Sequence, residues 1–477
     1  MEGFSLSNNT DKNKVFLVNF SDLKERYDPY FFKGEFHSLR KSLIKKGFIN
    51  IGQILKSWNR GDGPRDGYYT DDSINGVNFL RVNNLKNNSI DISDVKYIER
   101  KIHNTKLKRT QVSAGDLIFA ISGTKDNLGT VSIIPKEIKE ANLNSALVRL
   151  DIDKTKISNE FFCLLFELPF IRTQIEFTGK GAAQNNLNNN EIKSILIPNI
   201  SLTEQIKLVY LYQTAYTQKQ QKEAQAAALL ESIDSYLLNE LGITLPEKDT
   251  SLQSRIFTTR FSEVSGGRFD AVSNKSKELE DALLNGKYST IKLSKLIKGI
   301  KTGTTPHNSL NPYVDYGIPF LRNSNLQKGE LDLSDIKFIK EDLANQLTYS
   351  SKGDIIVCIA GTVGESVVNT SDELLAINQN ITALELDDNT VNINYLNYFL
   401  NTGLSIELTK RLCSIATILY LNNTNLLSLN IPLPPKEKQD EIANHIQSIR
   451  AQAKQLQEEA KMVLEEAKRE VEKMIIG

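Results

Sequence analysis

Cysteine is scarce. Cys163, Cys358 and Cys413 stand alone among 477 residues, so no disulfide framework is expected, and a reducing, cytoplasmic setting is the reading. Histidine is equally sparse. His37, His103, His307 and His445 are scattered and none sits at metal-ligand spacing, so they read as surface or loop residues and no metal site is expected. No apolar run approaches the ~18 residues of a membrane span. The start, MEGFSLSNNTDKNKVF, lacks the basic and apolar regions of a secretory signal. Charge of one sign is also missing: 58 basic residues face 58 acidic ones. A surface that grips nucleic acid everywhere needs clustered Lys and Arg, so only local basic faces are compatible with this balance.

The motifs of self-contained catalysis are missing too. There is no G-x-x-x-x-G-K-[ST] phosphate loop. SGTKDNLG and AGTVGE contain glycines without dinucleotide spacing. NPY at Asn311 lacks the second proline of an Asn-Pro-Pro-aromatic methylase motif, and no glycine-rich cofactor loop precedes it. Asp116 and Asp354 each follow a glycine before an apolar run, the place of a turn residue. No catalytic site is expected and no cofactor.

What the chain does contain is itself, twice. FLRVNNLKNNSIDISDVKYI from Phe79 and FLRNSNLQKGELDLSDIKFI from Phe320 align without a gap, about half their positions being identical. The match continues in order on both sides. Upstream, FSDLKERYDPYF parallels FSEVSGGRFDAV, pairing Arg26 and Asp28 with Arg268 and Asp270. IGQILKSWNRGDGP parallels LSKLIKGIKTGTTP. Downstream, SAGDLIFAISGT parallels SKGDIIVCIAGT, LNSALVRLDID parallels INQNITALELD, and NLNNNEIKSILIPNISLTEQI parallels YLNNTNLLSLNIPLPPKEKQD. The repeat is a tandem unit of roughly 230 to 240 residues, too large for a solenoid.

GDLIFAIS and GDIIVCIA are short apolar runs between turn residues, hence buried strands, and ALVRLDI and ITALELD alternate as strands do. EFFCLLFEL and INYLNYFLN carry apolar residues at helical spacing. Each unit is therefore α+β. From Ile442 a heptad seam runs through Ile446, Ile449, Ala453, Leu456, Ala460, Val463, Ala467, Val471 and Met474. Leu208, Tyr212, Ala215, Ala226, Leu229, Ile233 and Leu237 form the first copy, interrupted by Lys219 and Lys222, and Gly242 and Pro246 end it. Helices of ~40 residues, ~60 Å long, cannot bury so narrow a seam alone. The simplest partner of each is the other, antiparallel; another subunit is the alternative. The expected layout is a first domain over 1–200, a long helix over 201–243, a linker and second domain over 244–432, and a second long helix over 433–477.

Polar loops at matching positions are the candidate binding elements. Arg suits guanine, and Asn or Gln suits adenine, through paired hydrogen bonds in the major groove, while turn NH groups suit phosphates. In the first copy these are Arg60, Arg81, Asn83, Asn84, Thr124, Lys125, Gln184 and Asn185. In the second they are Lys301, Thr304, Arg322, Asn325, Thr362, Gln379 and Thr417. Each alone also fits a polar loop that satisfies its own backbone. The basic run Lys101, Lys106, Lys108 and Arg109 occurs in the first copy only and reads as a solvated face.

The whole pattern resembles the specificity subunit of type I restriction-modification systems. Its carriers are the duplicated domain-plus-helix plan, the RYDPYF and RFDAV entries, the SGT and AGT turns, the SIDSYLLNELGI helix ending, and IPLPPKEKQDEI with Gln439. IPNISLTEQI lacks the Pro-Pro pair but keeps Glu204-Gln205, and Tyr420 departs from the Asn-rich segment before the last strand. The resemblance implies two target-recognition domains on an antiparallel coiled coil with pseudo-two-fold symmetry, each reading half of an asymmetric bipartite site in double-stranded DNA. It implies two methyltransferase subunits docked on the helices and a recruited restriction-translocase subunit, with catalysis in those partners. A coiled-coil scaffold with duplicated protein-binding domains is the competing reading.

Overall fold

The computed structural model describes residues 7, 10, 15, 17, 18, 34–63, 68–86, 89–178, 185–247, 258, 277–327, 329–387, 389–413 and 419–477. The RYDPYF and RFDAV entries lie outside them. Two compact units emerge, one of residues 1–223 with 458–477, the other of residues 224–457.

Unit one holds two sheets. The first is antiparallel, in the order Val131–Ile133, Leu117–Ala120, Leu147–Ile152, Leu55–Arg60. All four side chains of Leu117–Ala120 are buried, which explains why a continuous apolar run rather than an alternating one marks this inner strand. The second sheet runs Tyr69–Thr70, Lys96–Ile98, Val77–Leu80, Ala141–Leu143, Gln111–Val112, with Val77–Leu80 and Ala141–Leu143 parallel. Unit two repeats both orders. Ser366–Val368, Ile355–Cys358, Ile381–Leu386 and Ile297–Thr302 form the first sheet, and Tyr313–Val314, Lys337–Ile339, Ile318–Leu321, Leu375–Ile377 and Thr348–Ser350 the second. The α+β class read from the sequence is the class observed.

Even the irregularities repeat. Lys56 is bulged out between Leu55 and Ser57 opposite Ile152 and Asp151, and Lys298 between Ile297 and Gly299 opposite Leu386 and Glu385. Each bulged lysine meets a neighbouring aspartate, Asp153 at 3.3 Å and Asp387 at 3.8 Å.

The helices Asn159–Leu165 and Ile393–Leu400 pack on these sheets as the spacing predicts, each capped by a side-chain oxygen (Ser158 or Asn392) accepting from the third helical NH. The Gly-Asp turns are structural. Asp116 accepts from the Ser113 amide and Asp354 from the Ser351 amide, both at 2.8 Å, and burial pushes the Asp354 carboxyl up. Histidine is the exception among the loop assignments: His103 is buried, its Nδ1 against Asn142 Oδ1 at 2.5 Å, because Asn142 also ties down Leu107 and Thr110 beneath it. Lys101, Lys106, Lys108 and Arg109 are exposed, as a solvated face requires.

The long helices run Leu202–Glu240 and Lys436–Ile476. In unit one the start of the first lies against the end of the second: Leu208, Tyr212 and Val471 share one core, and Lys222 meets Glu459 at 2.6 Å. In unit two the end of the first lies against the start of the second: Ile233 and Leu237 share a core with Ile442 and Ile446, and Lys438 bridges Glu240 at 2.7 Å. Both pairings are antiparallel. Met474 corrects the expected seam, being 61% exposed; Val471 is followed inward by Ile475 and Ile476, which pack on the unit-one core. Gly242, at φ +64°, ends the first helix in the left-handed conformation, with the Ile243 amide reaching back to the Leu238 carbonyl. No helix among the described residues is long and apolar enough to cross a membrane.

Gln205 and Gln439 lock each helix entry to its domain. Gln205, 1% exposed, accepts from the Ser158 amide and donates to the Lys156 and Ile200 carbonyls. Gln439, also 1% exposed, accepts from the Asn392 amide and donates to the Pro434 carbonyl. At IPNISLTEQI a Ser201–Glu204 capping box supplies the entry that Pro-Pro supplies in the second copy.

Candidate nucleic-acid interface

In each unit the polar loops gather at one end of the paired sheets because backbone bonds tie the strand ends together. Gly61 and Asp62 donate to the Leu147 and Leu143 carbonyls, Asn144 to Leu80, and Ile121 to Ala146. Gly303 and Thr304 donate to Ile381 and Ile377, Asn378 to Leu321, and Ile359 to Asn380. A Cβ at Gly61 would lie 2.0 Å from the Asn144 oxygen, and one at Gly303 2.1 Å from the Asn378 oxygen. Only glycine admits this approach.

The Phe-Leu-Arg anchor builds the same braced turn twice. The Arg81 amide donates to Asn84 Oδ1 at 2.9 Å, while Asn84 Nδ2 donates to the Asp91 carbonyl at 3.0 Å. The Arg81 guanidinium donates to the carbonyl and carboxylate of Asp94. Arg322, Asn325, Asp332 and Asp335 repeat each contact. Hydrogen bonds from Lys337, then Arg322, hold the Asp335 carboxyl below the usual carboxylate range, and those from Ser93 and Ser334 do the same for Asp91 and Asp332.

Asn84 and Asn325 are each 2% exposed, and both ends of their amides are used inside the turn. Named above as candidate base contacts, they lie buried within the turn, where both ends of each amide hold it together. The exposed apex belongs to Asn83 in unit one and Ser324 in unit two. Beside the apex, Val82 and Asn323 lie against the Gly123 and Gly361 turns respectively.

Other candidates are brought to the same end. Arg60 Nε donates to the Ser145 carbonyl at 2.8 Å. Thr124 is exposed, and Lys125 meets Glu176 at 2.7 Å with its own side chain 71% exposed. In unit two Lys301 is exposed at a strand end, the Thr304 hydroxyl donates to the Gln346 carbonyl, Thr305 pairs with Gln379, and exposed Thr362 contacts Cys358. Asn185 contributes backbone to a short strand pairing with Gly123, while Gln184 and Thr417 lie outside the described residues. Sequence reasoning missed Arg172, whose Nη atoms donate to the carbonyls of Leu128, Lys125 and Asp126 at 2.8, 3.1 and 3.4 Å. Its signal was the longer SGTKDNLG loop set against AGTVGE. Among the described residues no group of acids, histidines and cysteines could hold a metal ion.

Residues 285–466 match the family model of the type I restriction modification DNA specificity domain. A putative type I restriction enzyme MjaX specificity subunit from Methanocaldococcus jannaschii is 23% identical over 78% of this chain and 80% of its own length. The MjaVIII specificity subunit of the same organism is 23% identical over 72% of this chain and 74% of its own. A chain solved in work on complex assembly and conformational transition of the type I R-M system covers 90% of this chain and 96% of its own, with 18% identity and a TM-score of 0.51, a likeness of fold. The family's domain thus matches the second part of the chain, the first unit repeats the same braced loops, and over most of its length the chain is similar to specificity subunits of type I restriction-modification systems.

Proposed function

We propose that this chain is the non-catalytic DNA-reading subunit of a type I restriction-modification complex, each unit reading one half of an asymmetric bipartite site. The observation that carries this reading is one braced turn built twice with different residues at and beside its exposed apex, Val82-Asn83 in one unit and Asn323-Ser324 in the other. A common cradle fixes where the apex is presented. The changed side chains alter which base edge it can bond. Methyl transfer and ATP-driven cleavage then fall to partner subunits, and double-stranded DNA is the ligand.

Docking of a methyltransferase on the first long helix is supported by Leu202, Ile206 and Tyr210. They recur every fourth residue and are 38%, 66% and 74% exposed, an unusual apolar stripe for a helix surface. Two such subunits and a restriction subunit complete the assembly we propose.

The test is copurification of the full chain with a methyltransferase, followed by mapping of methylated adenines. A two-part asymmetric motif is expected, and exchanging Val82-Asn83 with Asn323-Ser324 should alter both halves. Absence of a two-part motif would leave the scaffold reading in its place.

A further inference from the structure

The connection after the inner strand differs between the units in one specific way. In unit one it runs Gly123-Thr124-Lys125-Asp126-Asn127-Leu128-Gly129, and in unit two Gly361-Thr362-Val363-Gly364. The ends are equivalent: the Gly129 amide donates to Ala120 and the Gly364 amide to Cys358, at the ends of matching strands. A Cβ at Gly129 would meet Ile175, and one at Gly364 Thr409, on matching helices. Unit one therefore carries three extra residues, 125–127.

Extra loop residues ordinarily cost order, yet these are held. Arg172, on the helix Pro169–Thr178, donates to three carbonyls of the loop. Burial lowers its guanidinium pKa somewhat, but the group remains a cation that favours those bonds. At the matching position of unit two the helix Gly403–Leu412 has Ile406, and the short turn there has no extra carbonyls to hold. The insertion and its clamp occur together.

The held loop abuts the reading turn. The space where a Gly123 Cβ would sit is flanked by Asn127 Cβ at 3.2 Å and Val82 Cγ1 at 3.4 Å. Lys125 and Asp126 are exposed beside it. The partner of Lys125, Glu176, is 41% exposed, and so open an ion pair is readily exchanged for a phosphate.

We infer that the 125–127 loop is a DNA contact peculiar to unit one, in which Lys125 meets a backbone phosphate and Arg172 is the positioning residue that holds the loop beside the Val82-Asn83 apex. This rests on the DNA-reading function proposed above. The loop contributes one phosphate contact and also braces the neighbouring apex, so it shapes the affinity, the salt dependence and the sequence reading of one half-site.

The experiment enriches a random-sequence duplex library on the full chain in its copurified complex, then measures binding of the enriched duplex across salt concentrations. Lys125→Gln should keep the motif and reduce the slope of log K against log salt by about 0.9. Arg172→Ala should blur one half of the motif and leave the other intact, with an unchanged circular dichroism spectrum. A deletion joining Thr124 to Leu128 copies the turn length already present in unit two and should combine both effects. A motif and slope unchanged by all three variants overturn this inference alone. Failure of the unaltered chain to enrich any motif overturns the DNA-reading function, and the inference with it.

Discussion

The Nζ of Lys222 lies 2.6 Å from Oε2 of Glu459, joining the two long helices where the apolar seam of the first is interrupted. With both groups part-exposed, at 29% and 41%, the pair specifies register more than it stabilises. Lys222→Met and Glu459→Leu together should leave stability unchanged or raised, and the coupling in a double-mutant cycle should be below about 1 kcal/mol. Urea unfolding at low and high salt checks this. A coupling of several kcal/mol would mean that the seam depends on the pair.

Gln439→Ala should be far more damaging than any surface change on the same helix. The lost side chain leaves the Asn392 amide and the Pro434 carbonyl without partners in a buried site, at a cost of about 2–4 kcal/mol. Gln205→Ala should behave alike in unit one, where three backbone groups are released. Denaturant midpoints at unchanged m-value give the measurement.

Gly61→Ala and Gly303→Ala should each prevent proper closure of their loop cluster, because the new methyl would overlap a backbone oxygen rather than a movable side chain. A loss of about 3 kcal/mol or more is expected. Gly63→Ala, with no atom within 4 Å of the new methyl, is the neutral control. Thermal melting of the three variants separates the two classes.

The braced turn of unit two should loosen in acid. The Asp335 carboxyl is held below its usual value by Lys337 and Arg322, so its contribution is complete above the unfolded carboxylate value of 3.8 and disappears as pH falls through the folded one. Asp335→Asn should therefore lower the melting temperature near neutrality, and the gap to the unaltered chain should close below about pH 4. A gap that persists unchanged into acid would place the effect of the substitution elsewhere.

These tests also mark what could be seen in the chain beforehand. The duplication, the inner strands and the long helices are written in local pattern, since apolar runs and heptads show their period without tertiary knowledge. The fate of individual polar side chains is not. Asn83 and Asn84 are chemically identical neighbours, but only the fold decides that one faces solvent while the other fills its own turn. Met474 fits a heptad on paper, whereas the helix end follows the local core and turns Ile475 and Ile476 inward. Arg172 and Glu176 lie near Lys125 only because the chain returns as a helix, a contact across about 50 residues that no local pattern records.

The bulged lysines carry a further meaning. Good strands can arise repeatedly, since many sequences satisfy the same alternation, but a misstep at Lys56 matched by one at Lys298, each with its aspartate, is like a copyist's slip found in two manuscripts. The slip predates the copying. The two units thus descend from one ancestor that already possessed the bulge, and the differences at their apices and at the 125–127 loop are later edits to a shared text.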